Sequence, residues 1–179
     1  MLFRSNMIRT LFINKTALEK GLKRPSVNNI EIKCNRIGVV GAGMMGAGIA
    51  YVAALNGMNV TLIDKDIEVA KKGISNIEQI LSFGLKRGKI TEEKKKEVLD
   101  KITPSYSYQD LKNVNLVIEA VFEDIEIKDK VLNQIQNNVS QNTIIASNTS
   151  TLPISELAKS VDNEENFIGI HFFSPFHKM

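Results

Sequence analysis

The segment Gly41-Ala-Gly-Met-Met-Gly46 constrains this chain more than any other stretch. It follows a short β-branched run, Arg36–Val40, and opens a helix-like stretch from Met44 to Asn56 that Gly57 closes. Val60–Ile63 then reads as a second strand ending at Asp64. Strand, glycine-rich turn, helix and strand form a βαβ unit, and such units build parallel sheets with right-handed crossovers.

The remainder of the chain continues the alternation. Ile67, Ala70, Ile74, Ile77, Ile80, Leu81 and Leu85 recur at helical spacing, and Thr91 before Glu92 and Glu93 reads as the N-cap of a second helix. Asp66 to Asp100 is too long for one crossover, so the pattern predicts a helical hairpin projecting from the sheet. Strands are expected near Ile102, at Leu116–Ile118, at Thr143–Ala146 and at Phe167–His171. Helices are expected over Ile125–Asn138 and near Ile154–Ala158. The resulting fold class is α/β: a doubly wound, mostly parallel sheet of the Rossmann type with an inserted helical hairpin.

The glycine turn fits G-x-G-x-x-G. Gly41 permits the tight turn, Gly43 lets backbone approach a pyrophosphate, and Gly46 lets the helix pack against its strand. The helix N-terminus offers free N–H groups and a positive dipole end to phosphates. The motif is weak alone, but here a strand precedes it, a helix follows it, and an acid lies about twenty residues on. Asp64 at the second strand's end can accept from ribose hydroxyls and repels a 2′-phosphate, which favours NAD over NADP. Lys65 beside it softens that preference.

Bulk properties narrow the rest. At 179 residues there is room for one domain with a full core plus a short appendage. A net charge of +3 supports no nucleic-acid role, and no apolar run reaches the roughly 18 residues of a membrane span. Cys34, the single cysteine, excludes an internal disulfide and a cysteine metal cluster, and no metal site is expected. Arg4, Arg9 and Lys15 without a preceding acid resemble a transit peptide. Leu2, Phe3, Met7, Ile8, Leu11 and Phe12 instead fit an ordinary helix, which is the preferred reading, with Lys20–Asn35 as a linker. Residues 1–34 are thus a helix and linker, and 35–179 a dinucleotide-binding domain.

Three further segments sit just past strand ends, where open α/β sheets bind ligands. They are Glu119-Ala-Val-Phe-Glu123 with Lys128, Ser147-Asn-Thr-Ser150, and His171-Phe-Phe-Ser-Pro175. Glu119 reads as a strand-end cap and His177 as a surface residue. With the glycine turn, these segments resemble the NAD-binding domain of 3-hydroxyacyl-CoA dehydrogenases from about Asn35 to Met179. His171–Pro175 followed by Lys178-Met179 is most similar to the multifunctional β-oxidation enzymes. In those, a hydratase domain comes first, and Arg9–Asn14 resembles the helix leaving it.

The resemblance implies roles position by position. Met45 would lie by the pyrophosphate, Asp64 by the adenosine ribose, and Glu123 and Lys128 near the nicotinamide-side ribose. Ser150 would hydrogen-bond the substrate hydroxyl and His171 would be the catalytic base. It also implies oxidation of (S)-3-hydroxyacyl-CoA, an acyl-CoA substrate, and an oligomeric parent protein with a thiolase subunit. The location would be the bacterial cytoplasm, with the mitochondrial matrix as the alternative. Lys86, Arg87 and Lys89 fit a solvated charged face better than a contact to coenzyme A phosphates.

The family's orienting glutamate and helical C-terminal domain would fall beyond Met179. The sequence therefore reads as a fragment, expected to bind NAD and to turn over substrate poorly. Two alternatives stand beside this reading: a β-hydroxyacid dehydrogenase acting on a free acid, and an NAD-binding module without catalysis. The first commonly uses a lysine base, and no lysine motif replaces Ser147–Ser150 and His171 here.

Overall fold

The computed structural model describes residues 6, 8–20, 22 and 34–173. The chain divides into two units, Met1–Ile32 and Lys33–Met179. In the first, a π-helical segment over Arg9–Asn14 runs into a short helix, α1 (Lys15–Glu19). Leu2, Phe3, Met7 and most of the expected linker lie outside the described residues, as do Ser174–Met179 with His177.

In the second unit, β1 (Arg36–Val40) is buried from Ile37 onward, as a strand covered on both faces must be. It pairs with β2 (Asn59–Ile63) on one side and with β4 (Leu116–Glu119) on the other. Beyond them lie β3 (Ile102–Ser105), then β5 (Ile144–Ser147) and β6 (Phe167–Gly169). The six strands run in the order β3-β2-β1-β4-β5-β6, and every pairing is parallel. The order reverses between β1 and β4, the point where such sheets open a ligand crevice.

Alternation along the strands divides the core. Ile37, Val39, Leu62, Ile118 and Ala146 face a layer containing α2 (Met44–Leu55) and α3 (Ile67–Lys86). Val40, Ile63, Val117 and Ile145 face the other layer with α5 (Ile125–Gln136) and α6 (Ile154–Ala158), through Leu132, Ile135 and Leu157. Each fully buried aliphatic side chain contributes about 1.5–3 kcal/mol. Among the described residues no helix is long and apolar enough to cross a membrane.

The hairpin is α3 followed by α4 (Glu92–Asp100), capped by Asp66 and Thr91 respectively. Unlike the projecting hairpin expected from the sequence, α3 packs along much of its length, burying Ala70, Gly73, Ile77 and Leu81. These positions form the helical stripe that covers β2 and α2 while α3 makes the crossover to β3. Phe83, past that stripe, is exposed. Two further differences are small. A 3-10 turn over Tyr108–Leu111, unanticipated, inserts Leu111 beneath Gly38, and β6 ends at Gly169 rather than His171.

Candidate NAD and substrate site

Register brings the sequence motifs together. Val40 is partnered by Ile63 and by Glu119, Glu119 by Ser147, and Ser147 by Gly169. The carboxyl ends of five strands therefore stand level, and the residues that follow them line one edge of the sheet.

At the glycine turn, Gly41 holds φ +102°, a left-handed conformation that disfavours any side chain, and a Cβ there would lie 2.6 Å from the Ala120 carbonyl oxygen. A Cβ on Gly46 would overlap the Gly41 carbonyl oxygen. Gly43 is different. Its φ of -66° is ordinary, and a Cβ there would meet nothing within 4 Å. The fold itself gives Gly43 no steric reason to lack a side chain, whereas a phosphate set against the backbone there would. Among the described residues no side chain caps α2, so its first N–H groups have neither an intrahelical nor a side-chain acceptor, and Met45 stands half-buried at this end of the helix.

Asp64 sits at the end of β2, half-buried. Its Oδ2 accepts from the Ala42 amide at 2.6 Å and its Oδ1 from the Lys65 amide at 2.7 Å. A carboxylate has about four acceptor positions, so roughly half remain for ribose hydroxyls. Burial first, then the charges of Asp64 and Glu119, pushes the Tyr108 phenol upward and keeps it protonated at neutral pH. Gly73, unremarked in the sequence, supports the turn from behind: a Cβ there would stand 2.9 Å from both Cβ and the carbonyl oxygen of Ala42.

On the other side of the crevice, Glu123 gathers the loop after β5. Its Oε1 accepts from the Thr149 hydroxyl (2.7 Å), the Ser150 amide (2.8 Å) and the Thr151 amide (2.9 Å). The Ser150 hydroxyl is 3.3 Å from the same oxygen, and Ser150 itself is exposed. Burial raises the Glu123 pKa; the Thr149 hydroxyl, the Thr151 and Ser150 amides and the Lys128 charge outweigh that and lower it to about 2.

Lys128 stands behind Glu123 with no exposed surface, 3.4 Å from its Oε2 and 2.8 Å from Glu119 Oε1. The family resemblance places Lys128 near the nicotinamide-side ribose. Its ammonium instead points into the protein, because two carboxylates and the Val121 carbonyl surround it. Glu119 is likewise no simple strand cap. It is fully buried, accepting from Lys128, the Val121 amide and the Ser147 hydroxyl. His171 is exposed just past β6, its ring 4.6 Å from that of Phe173. The Phe172 amide donates to Asn148 Oδ1 at 2.9 Å, a tie between the two loops that the sequence does not advertise.

The all-parallel order, the glycine turn at an open helix N-terminus and the acid ending β2 define a dinucleotide-binding domain of the Rossmann type. The donor set fits NAD: open backbone at Gly43 for phosphate and a partly engaged carboxylate at Asp64 for ribose. The chain belongs to the 3-hydroxyacyl-CoA dehydrogenase family, whose NAD binding domain matches residues 36–179. It is 41% identical over 169 residues to the fatty acid oxidation complex subunit alpha of Pseudomonas syringae pv. syringae, a match covering 94% of this chain and 23% of that protein. The chain thus spans less than a quarter of that relative's length. Among solved structures, it resembles (S)-3-hydroxybutyryl-CoA dehydrogenase from Ralstonia eutropha, with TM-score 0.80, 41% identity, and coverage of 82% of this chain and 52% of the other. For 3-hydroxybutyryl-CoA dehydrogenase from Escherichia coli the values are 0.79, 34%, 83% and 31%.

Proposed function

We propose that this chain is the NAD-holding part of an enzyme that oxidises (S)-3-hydroxyacyl-CoA to 3-oxoacyl-CoA in fatty acid β-oxidation. The observation that carries the reading is the shared register of Glu119, Ser147 and Gly169, which gathers the Glu123, Ser150 and His171 segments along one edge.

NAD, when bound, accepts the hydride that leaves C3 of the substrate. The turn Gly41–Gly46, with Met45 and the N-terminus of α2, would hold its pyrophosphate. Asp64 would hold the adenosine ribose and disfavour NADP by charge repulsion. Glu123, braced by Lys128, would border the nicotinamide-side ribose. Ser150 orients the substrate hydroxyl, and His171 takes its proton as the carbonyl forms, a task suited to an imidazole near neutral pH.

The matched relative is by name a subunit of a complex, which supports an oligomeric parent; a thiolase as its other subunit is what the family resemblance implies. Residues 1–34 would be the tail of a preceding hydratase-like domain and 35–179 the NAD-binding domain. The bacterial cytoplasm is the location that fits.

Calorimetric titration of the chain with NAD and NADP tests the reading first. Binding of NAD in the micromolar-to-millimolar range, much weaker for NADP and weakened by Asp64→Ala, is the expected result. Addition of (S)-3-hydroxybutyryl-CoA with NAD, followed by NADH absorbance over long incubation to register the low rate expected of this chain, then separates a dehydrogenase site from a binding module. Absence of binding by either nucleotide overturns the proposal.

A further inference from the structure

Glu119 and Lys128 form an ion pair with both side chains fully enclosed. Such a pair is costly to bury, and an apolar pair of similar volume generally serves stability as well. The connections of Glu119 point to another use. Its Oε2 accepts from the Ser147 hydroxyl at 2.6 Å, which grips the loop after β5 at its start. Its Oε1 holds Lys128, Lys128 faces Glu123 Oε2, and Glu123 Oε1 grips Thr149, Ser150 and Thr151 at the loop's far end.

The same loop controls the His171 segment. The Ile170 amide donates to the Ser147 carbonyl at 3.0 Å, and the Phe172 amide donates to Asn148 Oδ1. Both neighbours of His171 are therefore tied to residues that lie next to, or are held by, Glu119.

We infer that Glu119 is a positioning residue: acting through Lys128 and Ser147, it sets the Ser147–Thr151 loop and thereby the placement of Ser150 relative to His171. This rests on the dehydrogenase reading above for its purpose, but its test does not. The double variant Glu119→Gln/Lys128→Met removes both enclosed charges and leaves only the partly exposed Glu123 carboxylate, still held by the Thr149 hydroxyl and the Ser150 and Thr151 amides, so its melting temperature recovers above that of Lys128→Met alone. The expected result is that amide hydrogen exchange at Ser150 and Thr151 stays accelerated about tenfold despite that recovery, the scale of a lost charge-assisted hydrogen bond.

Wild-type exchange at those amides in the double variant overturns the inference, because a merely structural pair predicts recovery of both. Should the double variant not fold, Ser147→Ala removes one uncharged donor from Glu119. Faster exchange across Asn148–Thr151 supports the inference, and unchanged exchange overturns it. If the wild-type chain binds no NAD, the proposed function fails while the exchange data still decide the role of Glu119.

Discussion

The carboxylate of Asp64 accepts a hydrogen bond from the Ala42 amide at 2.6 Å, so the acid suited to a ribose also clamps the glycine turn. Asp64→Ala removes both functions. Its cost in stability should be about 1.5–3 kcal/mol, the range for a hydrogen bond to a charged group. Asp64→Asn keeps an acceptor for Ala42 and should lose less. Thermal melts of the two variants, set beside their NAD titrations, check this; equal melting temperatures for wild type and Asp64→Ala would refute the clamp.

Gly43 and Gly46 should respond in opposite ways to one methyl group. Gly46→Ala drives a Cβ into the Gly41 carbonyl and should destabilise the domain by about 1–3 kcal/mol or more, as overpacking does. Gly43→Ala meets open space, so its melting temperature should stay close to wild type. Its NAD affinity should nonetheless fall by about tenfold or more, since the methyl occupies the approach to the phosphates. Undiminished NAD binding in Gly43→Ala would remove the phosphate from that place.

Glu123 gives the chain a specific acid response. Its folded pKa of about 2 lies below the ordinary value of 4.5. The stabilisation it contributes is therefore complete above 4.5 and is lost as pH falls from 4.5 toward 2. Glu123→Gln should flatten that part of the stability profile while leaving the slope above pH 4.5 unchanged. Parallel profiles for the two proteins in the acid range would show that the carboxylate is not held in its charged form.

Asn148 couples the loop after β5 to the segment holding His171 through the Phe172 amide. Asn148→Ala leaves that amide without its acceptor. Hydrogen exchange at Phe172 should speed up about tenfold, on the scale of one hydrogen bond, while strands β1, β2 and β4 keep their protection. Unaltered exchange at Phe172 would mean that the tie does not persist in solution.

Much of the fold was legible from local signals. Gly41 and Gly46 announce their turn because the backbone permits no substitute there, and Thr91 announces α4 through a cap three residues long. The packing of α3 was less visible, since the same apolar stripe suits a projecting arm and a crossover helix alike. Glu119 was misread for a similar reason: a carboxylate at a strand end looks the same in sequence whether water or an ammonium faces it.

The sequence by itself determined the βαβ unit, the glycine turn and the acid at Asp64, because those depend on allowed backbone angles and on side-chain period. Only the tertiary structure decided that Glu119 is a buried hub and that Lys128 turns inward. The partners of Glu119 lie nine residues away at Lys128 and twenty-eight at Ser147. Parallel register brings Ser147 alongside, packing of α5 brings Lys128, and neither distance is encoded in any local pattern.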